Sequence, residues 1–180
     1  RRDDRGDGNN HGCNGGAGYM IKDTVQIRAD NLTIAYGDFV LMKNLSFNVN
    51  EHDIFIIMGG SGCGKSSLLR ILTGLHASPT GKFLIDGIDF THASPERQAE
   101  LMKRCGILYQ SGALFSSMTL GENIALPLQQ YTDYSAGLIN ELVELKLALV
   151  GLHGFADFYP SEISGGMAKR AGLARALALD

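Results

Sequence analysis

The chain has 180 residues, of which 44% are hydrophobic and 19% charged. This length suits one domain, and the net charge of −3 excludes a generally basic nucleic-acid-binding protein. The longest unbroken apolar run, from Ile54 to Met58, is far shorter than the ~20 residues of a membrane span. Three widely spaced cysteines form neither a disulfide framework nor a zinc motif. We therefore expect a cytosolic protein, unusual in composition only for its 23 glycines.

The first 18 residues are rich in glycine, asparagine and charged side chains and contain no large aliphatic one. Such a stretch cannot bury enough apolar surface to offset its ordering entropy, so we expect it to be disordered. The composition changes at Met20. Residues 1–19 are therefore interpreted either as a non-native leader upstream of the true start or as a flexible tail, and the domain as residues 20–180.

Apolar and β-branched residues dominate the next part of the chain. Residues 25–49 alternate in the manner of β-strands around a Gly37-Asp38 turn. The continuous apolar run of residues 53–58 predicts a strand buried on both faces, and residues 105–109 predict another short strand. Asp86-Gly87, between two short apolar segments, predicts a hairpin turn.

Helical patterns follow and alternate with the strands. Helices are predicted at residues 65–75 and 95–104, and at residues 165–179 with Ser164 as the N-cap. A further helix is predicted from four leucines that line one helical face: Leu138, Leu142, Leu145 and Leu149. Because strands lead and then alternate with helices, the predicted class is α/β.

A glycine-rich loop stands between the predicted buried strand and the first helix. Its sequence, Gly59-Gly-Ser-Gly-Cys-Gly-Lys-Ser66, fits the P-loop pattern G-x-x-x-x-G-K-[ST]. Backbone N–H groups of residues 62–65 are expected to form an anion-binding nest at the positive end of the helix dipole. Lys65 adds a charge that reaches the β and γ phosphates, and the Ser66 hydroxyl suits Mg²⁺. Cys63 is either a small filler or a reactive thiol.

A second helix start with the same chemistry lies far along the chain. Ser164, Gly165 and Gly166 open the last predicted helix and present a hydroxyl, exposed amides and a helix dipole. Gln110 ends a predicted strand between the two loops. A P-loop kinase requires neither of these two elements. Lys169 and Arg170 are interpreted as part of an exposed helix face.

With these motifs in this order, residues 24–180 resemble the nucleotide-binding domain of ABC transporters. The resemblance implies a P-loop NTPase core with an N-terminal antiparallel β subdomain and an α-helical subdomain inserted at about residues 111–165. It implies that Tyr36 stacks on adenine and that Ser67 adds a phosphate contact. It also implies that Gln110 reaches Mg²⁺ and the attacking water.

The same resemblance gives the second helix start a role across two subunits. Ser164 and its glycines match the signature motif, which in the family contacts the γ-phosphate of ATP held by the opposite subunit. The implied cofactors are ATP and Mg²⁺. The implied site residues are Lys65, Gln110, Ser164 and Gly166 for catalysis; Tyr36, Gly59, Gly60, Ser61, Gly62, Cys63, Gly64, Lys65, Ser66 and Ser67 for the nucleotide; and Ser66 and Gln110 for the metal.

Two later motifs of the family have no match in the sequence. These are an apolar strand ending in Asp-Glu (Walker B and the catalytic glutamate) and a switch histidine. The sequence ends at Asp180, where that strand is expected to start. We therefore expect a C-terminally truncated piece of an ATP hydrolase, which is unstable alone, binds ATP and hydrolyses it poorly.

The signature Ile163-Ser-Gly-Gly-Met167 and the segment at residues 109–128 resemble the ATPase subunits of Mla/Mce-type lipid transporters. This implies a homodimeric, peripheral protein on the cytoplasmic face of the inner membrane that couples ATP hydrolysis to phospholipid transport and lipid asymmetry. The implied partners are a second ATPase subunit, an integral membrane permease and a lipid-binding protein, with no nucleic acid. The alternatives are a soluble ABC ATPase and a transporter subunit for another substrate. Four apolar residues after Gln110 fit either core packing or docking of a permease helix: Leu114, Phe115, Met118 and Leu120.

Overall fold

The computed structural model describes residues 24–78 and 80–180, so the expectations for residues 1–19 lie outside the described residues. The strands are β1 Val25–Tyr36, β2 Phe39–Asn50, β3 Lys82–Ile85 and β4 Ile88–Asp89. The helices are α1 Lys65–Leu72, α2 Pro95–Met102, α3 Leu120–Tyr131, α4 Ala136–Leu149 and α5 Gly165–Ala176, with a 3₁₀ turn at Pro160–Glu162. Within the described ranges, none of the helices has the length and apolar character that a membrane span requires.

The four strands form one antiparallel sheet in the order β2-β1-β3-β4. Both predicted hairpin turns are confirmed. Tyr36 pairs with Phe39 across the first turn, where Gly37 has a φ of 57°. At the second turn Asp86 and Gly87 have φ values of 50° and 75°, the left-handed pair that a two-residue hairpin needs.

Serine and threonine side chains start four of the five helices. Ser94, Thr119, Ser135 and Ser164 each accept a hydrogen bond from a backbone N–H of the first turn, which satisfies a donor that the helix itself cannot. Helices α1, α2 and α5 are two or three residues shorter than predicted, and helix α3 was not predicted. The capping box between Thr119 and Glu122 marks the start of this helix. Pro127 lies inside the helix, and a proline in the sequence argues against a continuous helix there.

The strands predicted at residues 53–58 and 105–109 are not formed. Neither segment pairs with a strand among residues 24–78 and 80–180. Ile54 is 91% exposed and Met58 86% exposed, and only Phe55 packs closely, on the Phe47 ring at 5.0 Å between centroids. An apolar run of this kind becomes a buried strand only when neighbouring strands hydrogen-bond to its edges and side chains cover its faces.

Among residues 24–78 and 80–180, the buried side chains form three core clusters. Helix α1 packs on the sheet through Leu68 and Ile71, which contact Ile34 of β1. A second cluster lies between β1, β3 and α2, and the third joins α3, α4 and α5. The cluster of α1 and β1 holds the start of α1 beside the first hairpin. The cluster of α3, α4 and α5 holds α5, and with it the start of that helix, against the other two helices.

The predicted helix is formed as α4, and most of its leucine face is exposed. The structure buries Ile139, Val143, Lys146 and Leu147, while Leu138, Leu145 and Leu149 are 40%, 53% and 66% exposed. The helix itself carries apolar residues on more than one face. Contacts with α3 and α5, and not the leucine spacing, therefore determine which face is buried.

Candidate functional site

The glycine-rich loop takes a backbone path that other residues tolerate poorly. Gly62 and Gly64 have φ values of 79° and 100°, and Gly64 is the N-cap of α1. A Cβ on Gly64 would lie 2.7 Å from a methyl carbon of Leu41, and one on Gly59 would lie 2.4 Å from the Cys63 sulfur. Glycine is therefore required here both for conformation and for space.

Lys65 lies across the loop that precedes it. Its Nζ donates hydrogen bonds to the carbonyl oxygens of Gly59 and Gly60, both at 2.7 Å, and lies 3.5 Å from the Cys63 sulfur. The first hydrogen bond of α1 runs from the Leu68 N–H to the Gly64 carbonyl at 2.9 Å. The N–H groups of residues 65–67 precede that bond and have no acceptor within the helix. The loop thus places an ammonium group and open N–H groups at one helix N-terminus, an arrangement that suits a phosphate.

Tyr36 lies beside this helix start. Its hydroxyl donates a hydrogen bond to the Ser67 Oγ at 3.0 Å, and its ring stacks on His76 with 4.7 Å between centroids. Tyr36 is still 40% exposed. The structure therefore brings Tyr36 and Ser67 together, and no sequence motif indicates the contact with His76.

Ser66 and Gln110 line a single cavity of about 580 Å³. Tyr109, Arg70 and Lys169 lie on the same walls. Lys169 is exposed, as expected, and it also lines this cavity. A hydroxyl oxygen and an amide oxygen are hard donors suited to Mg²⁺, so the two residues predicted for the metal fit that ion by their chemistry.

The segment after Gln110 packs tightly on helix α5. A Cβ on Gly172 would lie 2.8 Å from the Gly112 Cα, and one on Gly112 would lie 2.7 Å from the Ala168 carbonyl oxygen. Ala113 follows with a φ of 49°, a conformation that residues with a Cβ adopt rarely. The Gln110 segment and α5 therefore fit together backbone against backbone.

Arg175 fastens the same contact. Its guanidinium donates hydrogen bonds to the carbonyl oxygens of Ala113 at 2.8 Å and Gly112 at 3.1 Å, and it lies over the Phe115 ring at 5.9 Å. Burial lowers the pKa of Arg175, although the group remains charged at physiological pH. Sequence reasoning did not identify Arg175, because its partners are carbonyl groups more than sixty residues away.

Ser164 caps the start of α5 as predicted, and its Oγ accepts a hydrogen bond from the Met167 N–H at 3.2 Å. A Cβ on Gly165 would meet no atom within 4 Å, so the first turn of α5 is open. Ser164 and Gly166 are not among the residues that line the Ser66–Gln110 cavity. Lys169, further along the same helix, does line it.

A larger cavity of about 660 Å³ lies between residues 102–109 and helix α3. Phe115 and Tyr131, on its walls, are 51% and 42% exposed, and Lys103 lies over the Tyr131 ring at 5.2 Å. The structure separates the four apolar residues that fitted either core packing or permease docking by how deeply each is buried. Leu120 is fully buried in the helical core and Leu114 packs against that core, whereas Met118 is half-buried and Phe115 is exposed.

Comparison with known proteins agrees with these motifs. The profile of the ABC transporter family matches residues 42–180. The intermembrane phospholipid transport system ATP-binding protein MlaF of Haemophilus influenzae is 45% identical over 154 residues, covering 86% of this chain and 58% of that protein. The probable ribonucleotide transport ATP-binding protein mkl of Mycobacterium bovis is 42% identical over 156 residues, covering 87% of this chain and 44% of that protein. The chain spans about half the length of the curated relatives it matches.

Solved structures show the same relationship. A bacterial ABC transporter cassette solved as a dimer superposes with a TM-score of 0.79 at 30% identity, covering 84% of this chain and 69% of that one. An ATP-binding cassette dimer in a post-hydrolysis state, bound to ADP and Pi, superposes with a TM-score of 0.78 at 29% identity and the same coverage. The expected ABC ATPase fold is confirmed. The chain therefore belongs to the ABC transporter family and has the fold of its ATPase domain.

Proposed function

We propose that the chain is the ATP-binding part of a transporter subunit that couples ATP hydrolysis to movement of a substrate across a membrane. The observation that carries this proposal is the geometry around Lys65. Its ammonium group and the open N–H groups of α1 converge at a helix start, next to a cavity lined by Ser66 and Gln110.

Each residue contributes a distinct part of ATP handling. The α1 N-terminus and Lys65 neutralise the β and γ phosphates, for which the Lys65 bonds to Gly59 and Gly60 keep the ammonium group poised above the loop. Ser66 and Gln110 are the residues that would hold Mg²⁺, which when bound neutralises charge between the phosphates. Gln110 also orients the attacking water through its side-chain amide, and Tyr36 provides an aromatic face for adenine.

The second phosphate site, at Ser164, is proposed to act on ATP bound by a second copy of the chain. Support comes from the open first turn of α5 and from the dimers formed by the structural relatives. A nucleotide bound at the Lys65 site of one copy joins the two copies only when the Ser164 site of the other copy also contacts it.

Analytical ultracentrifugation with Mg²⁺ and a non-hydrolysable ATP analogue tests this arrangement. The wild-type chain is expected to sediment as a dimer with the analogue and as a monomer without it. Ser164→Ala is expected to weaken dimerisation while leaving analogue binding to the monomer unchanged. Ser161→Ala, at an exposed serine nearby, is the matched control. A wild-type chain that binds the analogue but stays monomeric would overturn the two-subunit arrangement.

Phospholipid is the proposed substrate, in keeping with the name of the MlaF relative. A ribonucleotide is the second candidate, because the mkl relative has similar identity. Proteoliposomes that contain the complete subunit with its permease distinguish them. ATP-driven transfer of labelled phospholipid, without uptake of labelled ribonucleotide, is the expected result, and the reverse would support the second candidate.

Phe115, which follows the Gln110 segment and is 51% exposed, is proposed to lie on the surface that receives the permease. Its aromatic ring offers apolar contact area for a helix of that partner. Phe115→Asp is expected to abolish co-purification of the complete subunit with the permease while preserving ATP binding. Leu138→Asp, at an exposed leucine on α4, is expected to preserve both. Retention of the permease by Phe115→Asp would contradict this docking surface.

A further inference from the structure

We propose that His76 is a positioning residue for the nucleobase and acts by holding the Tyr36 ring in place. This inference rests on the proposed function, in which Tyr36 stacks on adenine. None of the sequence motifs includes His76, which follows the C-terminal end of α1.

Two contacts tie the His76 ring to Tyr36 and the residue before it. The imidazole stacks on the Tyr36 ring with 4.7 Å between centroids and 24° between planes. Its Nε2 lies 3.1 Å from the Ala35 carbonyl oxygen. A carbonyl oxygen only accepts, so Nε2 carries the proton and donates this bond. The imidazole therefore cannot slide along the tyrosine without losing a hydrogen bond.

A third contact fixes the far end of the tyrosine. The Tyr36 hydroxyl donates to Ser67 Oγ at 3.0 Å, so the ring is held at its tip by Ser67 and on one face by His76. Tyr36 nevertheless remains 40% exposed. The ring is thus held in one orientation with surface left for a flat ligand, and aromatic stacking on such a fixed ring requires little further ordering.

The backbone that carries His76 belongs to the helix that carries the phosphate site. The N–H groups of Leu75 and His76 both donate to the Arg70 carbonyl, at 2.8 and 3.1 Å, and Gly74 turns the chain with a φ of 73°. Helix α1 thus begins at Lys65 and presents His76 just beyond its other end. One rigid element sets the distance between the place of the phosphates and the platform for the base.

The test compares ATP with inorganic tripolyphosphate, which has phosphates but no base. Both are measured by competition against a fluorescent ATP analogue. His76→Ala is expected to weaken ATP about 3- to 10-fold, the size of one aromatic pair, and to leave tripolyphosphate unchanged. His76→Phe, which keeps a stacking ring but loses the bond to Ala35, is expected to bind ATP with an affinity between those of His76→Ala and the wild type. His153→Ala, at an exposed histidine, is the control for loss of an imidazole elsewhere.

A double-mutant cycle separates positioning from a merely structural role. In a Tyr36→Ala background, His76→Ala is expected to have no further effect on ATP affinity, because the ring through which it acts is gone. Unchanged ATP affinity in the single variant, or equal weakening of ATP and tripolyphosphate, would overturn the inference. If the proposed function itself were wrong, Lys65→Ala would weaken the binding of neither ATP nor tripolyphosphate.

Discussion

The contact between helix α5 and the segment after Gln110 predicts that alanine is not tolerated at Gly172. Its Cβ would lie 2.8 Å from the Gly112 Cα, 2.8 Å from the Gly112 oxygen and 3.2 Å from the Gly112 carbonyl carbon. All three atoms are backbone, so no side chain rotates away. Overpacking of this kind costs about 3 kcal/mol, which the higher helix propensity of alanine offsets by about 1 kcal/mol. The expected net loss is about 2 kcal/mol.

Gly137→Ala is the matched control. Gly137 is also helical, in α4, and a Cβ there would meet no atom within 4 Å. Only the propensity gain remains, and it is about 0.5 kcal/mol because Gly137 lies in the first turn and not in the helix interior. Thermal unfolding is expected to show a melting temperature about 4–8 °C lower for Gly172→Ala and slightly raised for Gly137→Ala. The reasoning is refuted if both variants melt at or above the temperature of the wild type.

Three further predictions concern residues around the same segment. Asn123 is fully buried and bonds the backbone of Phe115, Met118 and Thr119, so Asn123→Leu is expected to cost about 3 kcal/mol or more in urea unfolding because it strands buried backbone groups. Arg175→Lys retains the charge but not the fork that reaches two carbonyls, so it is expected to lose about 1–2 kcal/mol of stability. Burial raises the pKa of the Cys105 thiol, which lowers its thiolate fraction at any given pH. Alkylation of Cys105, followed by peptide mass spectrometry, is therefore expected to be slower in the folded chain than in urea at pH 8, and to accelerate with pH beyond the range of an exposed cysteine.

Each of these has a result that counts against it. Wild-type stability of Asn123→Leu would show that the buried amide is dispensable to the turn before α3. If Arg175→Lys and Arg175→Met unfold at the same urea concentration as the wild type, the two hydrogen bonds contribute nothing to the fold. Equal alkylation of Cys105 in the folded and urea-unfolded chains at pH 8 would contradict the raised pKa.

Features that depend on residues close in sequence were predictable. The P-loop glycines, the Asp86-Gly87 turn and the Ser164 cap each follow from local conformational or hydrogen-bonding needs, and the structure places all three as expected. The Thr119–Glu122 capping box is equally local, and it gives the start of α3 once Pro127 is accepted within the helix.

Features that depend on distant partners were not predictable. The run at residues 53–58 shows that these side chains favour burial, but hydrophobicity does not identify a partner strand, and the structure leaves Ile54 and Met58 exposed. Helix α4 has apolar residues on more than one face, so its buried face depends on α3 and α5. His76 and Arg175 act through carbonyl groups more than forty and sixty residues away, contacts that no spacing rule contains.

The most direct measurement is the equilibrium affinity of the chain for ATP with and without the Lys65 ammonium group. Lys65→Ala removes charge-assisted bonds to the phosphates, and its affinity is expected to fall at least about 100-fold. Lys82→Ala, at an exposed lysine on β3, is expected to bind ATP as the wild type does. Unchanged ATP affinity in a folded Lys65→Ala chain would contradict phosphate binding at the start of α1.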